Sequence, residues 1–194
     1  IKGLKQFIVS SNSNHFEVID GVLYKKNSDN TLELIQYPLA KGNTAFTIPN
    51  NVVKLLNRCF ANEKNLTSVV MSDSVTSVEY FTFRATNIES IQLSNNLENL
   101  GTYMFFYCNN LTSITIPNSV TSIEYGAFYG CSSLTEFTIP YSVTTIGDNV
   151  FAYTSGLKQF IVSSNSNHFK VIDGVLYKKN SDNTLELIQY PLAK

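Results

Sequence analysis

The sequence predicts a β-rich solenoid, a coil of ~23-residue units that each carry one short strand and one short helical or 3₁₀ turn, and three observations support this. Leucine or isoleucine recurs at Leu66, Ile88, Leu111, Leu134 and Leu157, in steps of 22, 23, 23 and 23 residues. Apolar residues follow each of these at +3 and +5. A longer unit at 3–41 returns at 156–194 with one change, lysine at 170 where the first copy has Glu17.

The +3 and +5 residues are Val69 and Met71, Ile91 and Leu93, Ile114 and Ile116, Phe137 and Ile139, Phe160 and Val162. Side chains two apart on a strand share a face, so each pair points inward. A coil beginning at Asn43 has the same pattern in Phe46 and Ile48. Pro49, Pro117 and Pro140 follow their strands and, lacking an N–H, turn the chain away from the ladder. Beyond the corner come apolar residues three apart: Val52 and Leu55, Val75 and Val78, Leu97 and Leu100, Val120 and Ile123, Val143 and Ile146. Phe60, Phe83, Phe105, Phe128 and Phe151 then recur once per coil at the expected helical turn, and their stack closes the far side.

The terminal units are longer because of an insert. Val22-Leu23-Tyr24 and Leu32-Glu33-Leu34-Ile35, separated by Asn27-Ser28-Asp29-Asn30, predict a β-hairpin leaving the solenoid. Asp20-Gly21 supplies a turn ahead of it, following Val18-Ile19, and Pro38 ends it. The organisation is therefore one solenoid over 1–194: a hairpin-bearing coil at 4–42, five regular coils at 43–156 and a second hairpin-bearing coil at 157–194. The two copies lie 153 residues apart, which indicates a higher-order period and an excised stretch of a longer protein.

Composition narrows the function. The chain is 43% apolar and 15% charged, with a net charge of -1, so no basic field attracts nucleic acid or anionic lipid. Apolar runs are a few residues long, far short of the roughly 20 that cross a bilayer, and no membrane insertion is expected. Cys59, Cys108 and Cys131 are too few for a disulfide framework and form no CxxC pair. Cys108 and Cys131 are one period apart, close enough for a bond, but two stacked buried thiols are the better reading, with Ala85 and Thr154 assigned to the same phase.

The run Leu111-Thr-Ser-Ile-Thr-Ile-Pro-Asn-Ser-Val-Thr-Ser-Ile-Glu-Tyr-Gly-Ala-Phe-Tyr-Gly-Cys131-Ser-Ser-Leu134 resembles the unit LTSITIPxSVTSIGxxAFxxC of the BspA-type leucine-rich-repeat family. The insert from Ile19-Asp-Gly-Val-Leu-Tyr-Lys-Lys to Ile35-Gln-Tyr-Pro38 is similar to a hairpin that recurs there. The resemblance implies a curved, right-handed leucine-rich-repeat solenoid, secreted or displayed on a cell surface, with some members adhering to host matrix proteins. Two departures stand out: Glu63 in the usual cysteine phase, and the shortened coil at 66–87.

Catalysis lacks its parts. His15 and His168 are one position in two distant copies, no GxSxG, GxGxxG or P-loop occurs, and no calcium-loop pattern is present. No catalytic residue, cofactor or metal is expected. Asn65-Leu-Thr67 and Asn110-Leu-Thr112 fit a glycosylation acceptor but follow from the repeat itself. The outward strand positions Ser68, Val70, Ser90, Gln92, Ser113, Thr115, Glu136 and Thr138 form rows on one face and are the candidate ligand-binding residues, facing a protein, including a host extracellular-matrix protein, or a glycan. The alternative is a passive stalk. Seven tyrosines between Tyr80 and Tyr153 serve either as interface anchors or as packing beside the phenylalanines. Matching termini also suggest end-to-end self-association.

Overall fold

The computed structural model describes residues 3–194 as a β-solenoid of about six turns. The N-terminal unit contains β1 (Phe16–Ile19), β2 (Val22–Lys26) and β3 (Leu32–Gln36). The chain then alternates between a first wall, with β4 (Ala45–Thr47), and a second, with β5 (Val52–Leu55). The alternation continues through β6 (Ser68–Val70) and β7 (Ser77–Val78), then β8 (Ser90–Gln92) and β9 (Asn99–Leu100). Next come β10 (Ser122–Ile123) on the second wall, β11 (Glu136–Ile139) on the first and β12 (Thr145–Ile146) on the second. The closing unit holds β13 (Gln159–Val162), β14 (Phe169–Ile172), β15 (Val175–Lys179) and β16 (Leu185–Gln189).

Parallel pairing stacks the coils in the register set by the repeat. Val69 lies opposite Phe46 and Ile91, and Phe137 opposite Phe160. Leu66, Ile88, Leu111, Leu134 and Leu157 are all buried, as are nearly all the +3, +5 and post-corner residues. Enclosing each such side chain contributes roughly 1.5–3 kcal/mol, and no single coil encloses its own. The five phenylalanines form the expected stack, with centroid separations of 5.0, 5.6, 5.2 and 5.9 Å and interplanar angles of 15° or less.

Four expectations are corrected. The insert does not leave the solenoid: β1, β2 and β3 form an antiparallel meander whose last strand pairs in parallel with β5. Leu32 and Leu34 plug the core where a free hairpin would have left them wet, and a strand edge with an apolar inner face is more stable when it continues the wall. The Asp20-Gly21 turn joins β1 to β2, with both residues at positive φ (48° and 76°), the geometry of a two-residue type I′ hairpin.

The second correction concerns the turns carrying the phenylalanines. No helical element occurs among the described residues. These turns form a third wall zipped by backbone bonds: the N–H groups of Tyr103, Phe105 and Tyr107 donate to the carbonyls of Tyr125, Ala127 and Tyr129 at 2.8–2.9 Å. Such a ladder satisfies groups that a one-turn helix would leave unpaired at its ends. Two left-handed residues per coil allow it, at Arg58 and Asn62, Phe81 and Ala85, Tyr103 and Tyr107, Asn149 and Tyr153, all with φ of 53–64°. Gly126 and Gly130 fill the same phases, and a Cβ there would lie 2.5 and 2.6 Å from the Tyr103 and Tyr107 rings.

Third, the coil starting at Leu111 forms no first-wall strand, so that wall divides into β4-β6-β8 and β11-β13. The second wall divides between β7 and β9. Both breaks flank the coil 88–110, which the chain enters through a corner one residue shorter than the next, although β6 and β8 pair in full register across that corner. Fourth, that shortened corner puts Thr86, not Ala85, in the cysteine row: Thr86 Oγ1 lies 3.3 Å from Cys108 Sγ.

Candidate functional site

The first wall positions the eight candidate residues. Because alternate side chains on a strand face opposite ways, burying Val69, Ile91 and Phe137 turns Ser68 and Val70, Ser90 and Gln92, Glu136 and Thr138 outward. Ser68 pairs with Ser90 and Val70 with Gln92 across β6 and β8, while Glu136 pairs with Gln159 and Thr138 with Ile161 across β11 and β13. Ser68 and Val70 are half-buried and the other six are exposed.

These residues form two groups rather than one uninterrupted field. Ser68, Val70, Ser90 and Gln92 sit on the zipped ladder. Ser113, Thr115, Glu136 and Thr138 instead line a shallow cavity of about 290 Å³ at the opened seam, floored by Ile114, Ile116 and Pro140. Its rim supplies three hydroxyls that donate or accept and one carboxylate that accepts, and the Gln159 amide reaches that carboxylate at 3.3 Å. An apolar floor with a rim of three hydroxyls and one carboxylate suits recognition of a surface. The seam has no signature in Leu-Thr-Ser-Ile-Thr-Ile-Pro, which is the most regular repeat in the chain.

A second surface lies on the third wall. Phe81 stacks on Tyr103 at 4.8 Å, Phe106 on Tyr129 at 5.0 Å, and Tyr129 meets Tyr153 at 4.9 Å, outside the buried phenylalanine stack. Arg58 and Arg84 lie over the Phe81 ring at 5.4 and 5.9 Å. Tyr80, Tyr107, Tyr125 and Tyr153 remain exposed, so the tyrosines both pack on one another and present edges to solvent. Phe81, Phe106 and the two arginines were missed in the sequence, although aromatic residues recurring at 81, 103, 106 and 129 were the available signal.

Reactive groups are buried or scattered. Cys59, Cys108 and Cys131 are free and fully buried. Burial pushes the Cys108 thiol up to about 11 and lifts Cys59 and Cys131 well above the ordinary range. Cys108 and Cys131 donate across to the Phe83 and Phe105 carbonyls of the preceding coil at 3.0 and 3.2 Å, whereas the Thr86 and Thr154 hydroxyls donate to the Phe83 and Phe151 carbonyls three residues back in their own coils. The row thus satisfies backbone carbonyls, the threonines within a corner and the cysteines between coils. Glu63 occupies it too, buried, with Oε1 accepting the Asn65 N–H at 2.6 Å. His15 and His168 are exposed in separate units. Among the described residues, no group of three His, Cys, Asp or Glu side chains is placed to hold a metal ion, and no helix is long and apolar enough to cross a membrane.

Residues 40–170 match, in six copies, the family model described as BspA type leucine rich repeat region. No curated protein matches the chain. Among solved structures, it is similar to a leucine-rich repeat protein from Eubacterium ventriosum, with 25% identity, a TM-score of 0.73, and coverage of 94% of this chain and 50% of that one. It is likewise similar to a leucine-rich cell surface protein from Faecalibacterium prausnitzii, at 27% identity and TM-score 0.53, covering 94% and 63%. The pneumococcal vaccine antigen PcpA shares the fold at 22% identity and TM-score 0.73, covering 92% and 56%. The chain thus spans 50–63% of the length of these three proteins.

Proposed function

Because the chain belongs to the BspA-type leucine-rich-repeat family, we propose that it is a non-catalytic recognition module, displayed on a cell surface or secreted, that binds a protein ligand through its first wall. A protein-interaction or structural role is the common ground of such repeats. The observation that carries the finer reading is the opened seam, where Ser113, Thr115, Glu136 and Thr138 surround an apolar floor on the first wall. A partner's apolar side chain entering there is desolvated, while the hydroxyl rim fixes its backbone. The description of the Faecalibacterium protein as a cell surface protein supports the location.

The test is binding of the chain to immobilised extracellular-matrix proteins, with a glycan array beside them and the variant Thr115→Lys/Thr138→Lys in parallel. Both threonines are exposed, so the variant keeps its melting temperature. Saturable binding to a protein, reduced at least tenfold in the variant, is the expected result. Binding to glycans alone, or equal binding by the variant, overturns this reading. A second reading, a spacer, draws on the recurrence of an almost unchanged unit after 153 residues, and the absence of any ligand would favour it.

A further inference from the structure

The third wall carries two aromatic columns that run along the solenoid, each headed by an arginine. Arg58 lies 5.4 Å over the Phe81 ring, and Phe81 stacks on Tyr103 at 4.8 Å with an interplanar angle of 5°. Arg84 lies 5.9 Å over the Phe106 ring, and Phe106 stacks on Tyr129 at 5.0 Å and 24°. Arg84 is also 5.9 Å from the Phe81 centroid, so the two heads share one ring. They are the only arginines in the chain, whose other basic residues are lysines and two distant histidines. Arg58 is exposed and Arg84 half-buried, and among the described residues neither takes part in a salt bridge. Two like charges thus stand together without a counter-ion on a chain of net charge -1. Every coil that carries these columns has a neighbouring coil on both sides.

We propose that this wall binds a glycan carrying a carboxylated sugar, with the carboxylate held by Arg58 and Arg84 and neutral sugars lying along Tyr107, Tyr129 and Tyr153. Charge complementarity sets the acidic end. A guanidinium stacked on a ring keeps its N–H edge free to meet a carboxylate with two parallel bonds, which a lysine ammonium does not provide. The stacking sets the rest. It spends the ring faces on one another, so solvent meets the ring edges, the positive side of the aromatic quadrupole, together with phenol hydroxyls that donate and accept. Tyr80, Tyr107, Tyr125 and Tyr153 are 40–65% exposed. Edges and hydroxyls both favour oxygen, and a glycan offers oxygen on every ring. An extended peptide would add to a sheet through a free strand edge. Here alternate N–H groups from Arg58 to Gly130 already donate to the next coil, so only side chains remain to make contact. Asp148 is exposed at the far end of the wall and repels a second acid there, which orients the ligand. The path from Arg58 to Tyr153 spans four coil spacings, roughly 19 Å, enough for an oligosaccharide. This surface and the first-wall seam lie on different walls, so either reading stands or fails without the other.

The test uses two probes, sialyllactose and a tetrasaccharide that alternates glucuronate with N-acetylglucosamine. With only two arginines in the chain, NMR shows two guanidinium Nε–H signals, assigned from the single variants Arg58→Lys and Arg84→Lys. Titration of the parent chain with at least one probe should move both signals saturably. The methyl ester of that probe, which has lost the charge, should bind at least tenfold more weakly. The double variant Arg58→Lys/Arg84→Lys keeps the charge but loses the fork and the stack, and calorimetry should show at least a tenfold loss of affinity with the fold verified by its melting curve. Tyr107→Ser/Tyr153→Ser, at two exposed rings, should weaken binding at least threefold, and Thr115→Lys/Thr138→Lys on the first wall should leave it unchanged. Four results overturn the proposal: no movement of the arginine signals with either probe, equal binding of the ester, full affinity in the double lysine variant, or equal affinity for the tripeptide Gly-Glu-Gly, which would reduce the site to a contact for any carboxylate.

Discussion

Residues 3–41 and 156–194 are nearly the same sequence in two settings, and their burial differs by neighbour alone. Leu34 is fully buried and Leu187 is 58% exposed; Phe16 is 44% exposed and Phe169 is 2% exposed. Both units nevertheless form the same three-stranded meander with the same register shift between its second and third strands. Local sequence therefore fixes the meander, and the adjoining coil decides how much stability each side chain contributes. This is the nearest-neighbour behaviour of a stacked array, resolved to single residues.

The largest expected departure between the copies comes from a charge on the third strand. Leu34→Asp buries an unpaired carboxylate beneath β5 and should cost on the order of 3–5 kcal/mol. Leu187→Asp should stay within about 0.5 kcal/mol of the parent chain. Chemical denaturation of the two variants checks this, and equal losses would mean that β16 is covered in solution.

The reciprocal pair tests the opposite side. Phe169→Ala removes a ring held between coils and should cost about 3–5 kcal/mol. Phe16→Ala, at a ring nearly half in water, should cost less than about 1 kcal/mol. Parity between them would show that the first unit is packed by something other than its own chain. A smaller difference is expected between Glu33→Ala and Glu186→Ala. Lys25 holds Glu33 at 3.1 Å, whereas Lys178 and Glu186 are 3.8 Å apart and both more than half exposed. The first substitution should cost about 0.5 kcal/mol and less in high salt, the second nothing measurable.

The same distinction between local and tertiary causes explains what the sequence revealed. Burial of Leu66, Ile88, Leu111, Leu134 and Leu157 was legible because a period of 22–23 residues must place them on one line inside the coil. The outward direction of Ser90, Gln92, Thr115 and Thr138 followed from strand alternation. The third wall was misread because a phenylalanine recurring once per coil fits a helical turn as well as a ladder with left-handed corners, and only the neighbouring coil's carbonyls select the ladder. Ser113 and Thr115 were placed on the correct face. The seam beside them was not foreseen, since residues 111–117 follow the repeat and nothing in them marks the missing strand pairing. The insert's fate was equally non-local: Leu32 and Leu34 carry strand alternation in either setting, and the presence of Val52 and Leu55 decides whether they join a wall.

The smallest effect supplies the control for the whole comparison. Asp29 and Asp182 sit in the tight turns of the two meanders, and each carboxylate accepts bonds from its own Thr31 or Thr184: 2.7 and 2.6 Å from the hydroxyl, 3.0 Å from the backbone N–H in both. Both carboxyls are held below the usual aspartate range, first by the threonine hydroxyl and then by its N–H. A carboxyl whose folded pKa is depressed contributes stability above its unfolded pKa and loses it as pH falls through the folded value. Because every partner lies within two residues, no neighbouring coil takes part. Titration of the two side-chain carboxyls by NMR should give two matching curves, both displaced to the acid side of a model aspartate, and Thr31→Val and Thr184→Val should return each toward the ordinary range by the same amount. Curves that differ between the copies would show that coverage by the adjoining coil reaches even the turn, and the division between local form and neighbour-dependent stability would fail at its simplest point.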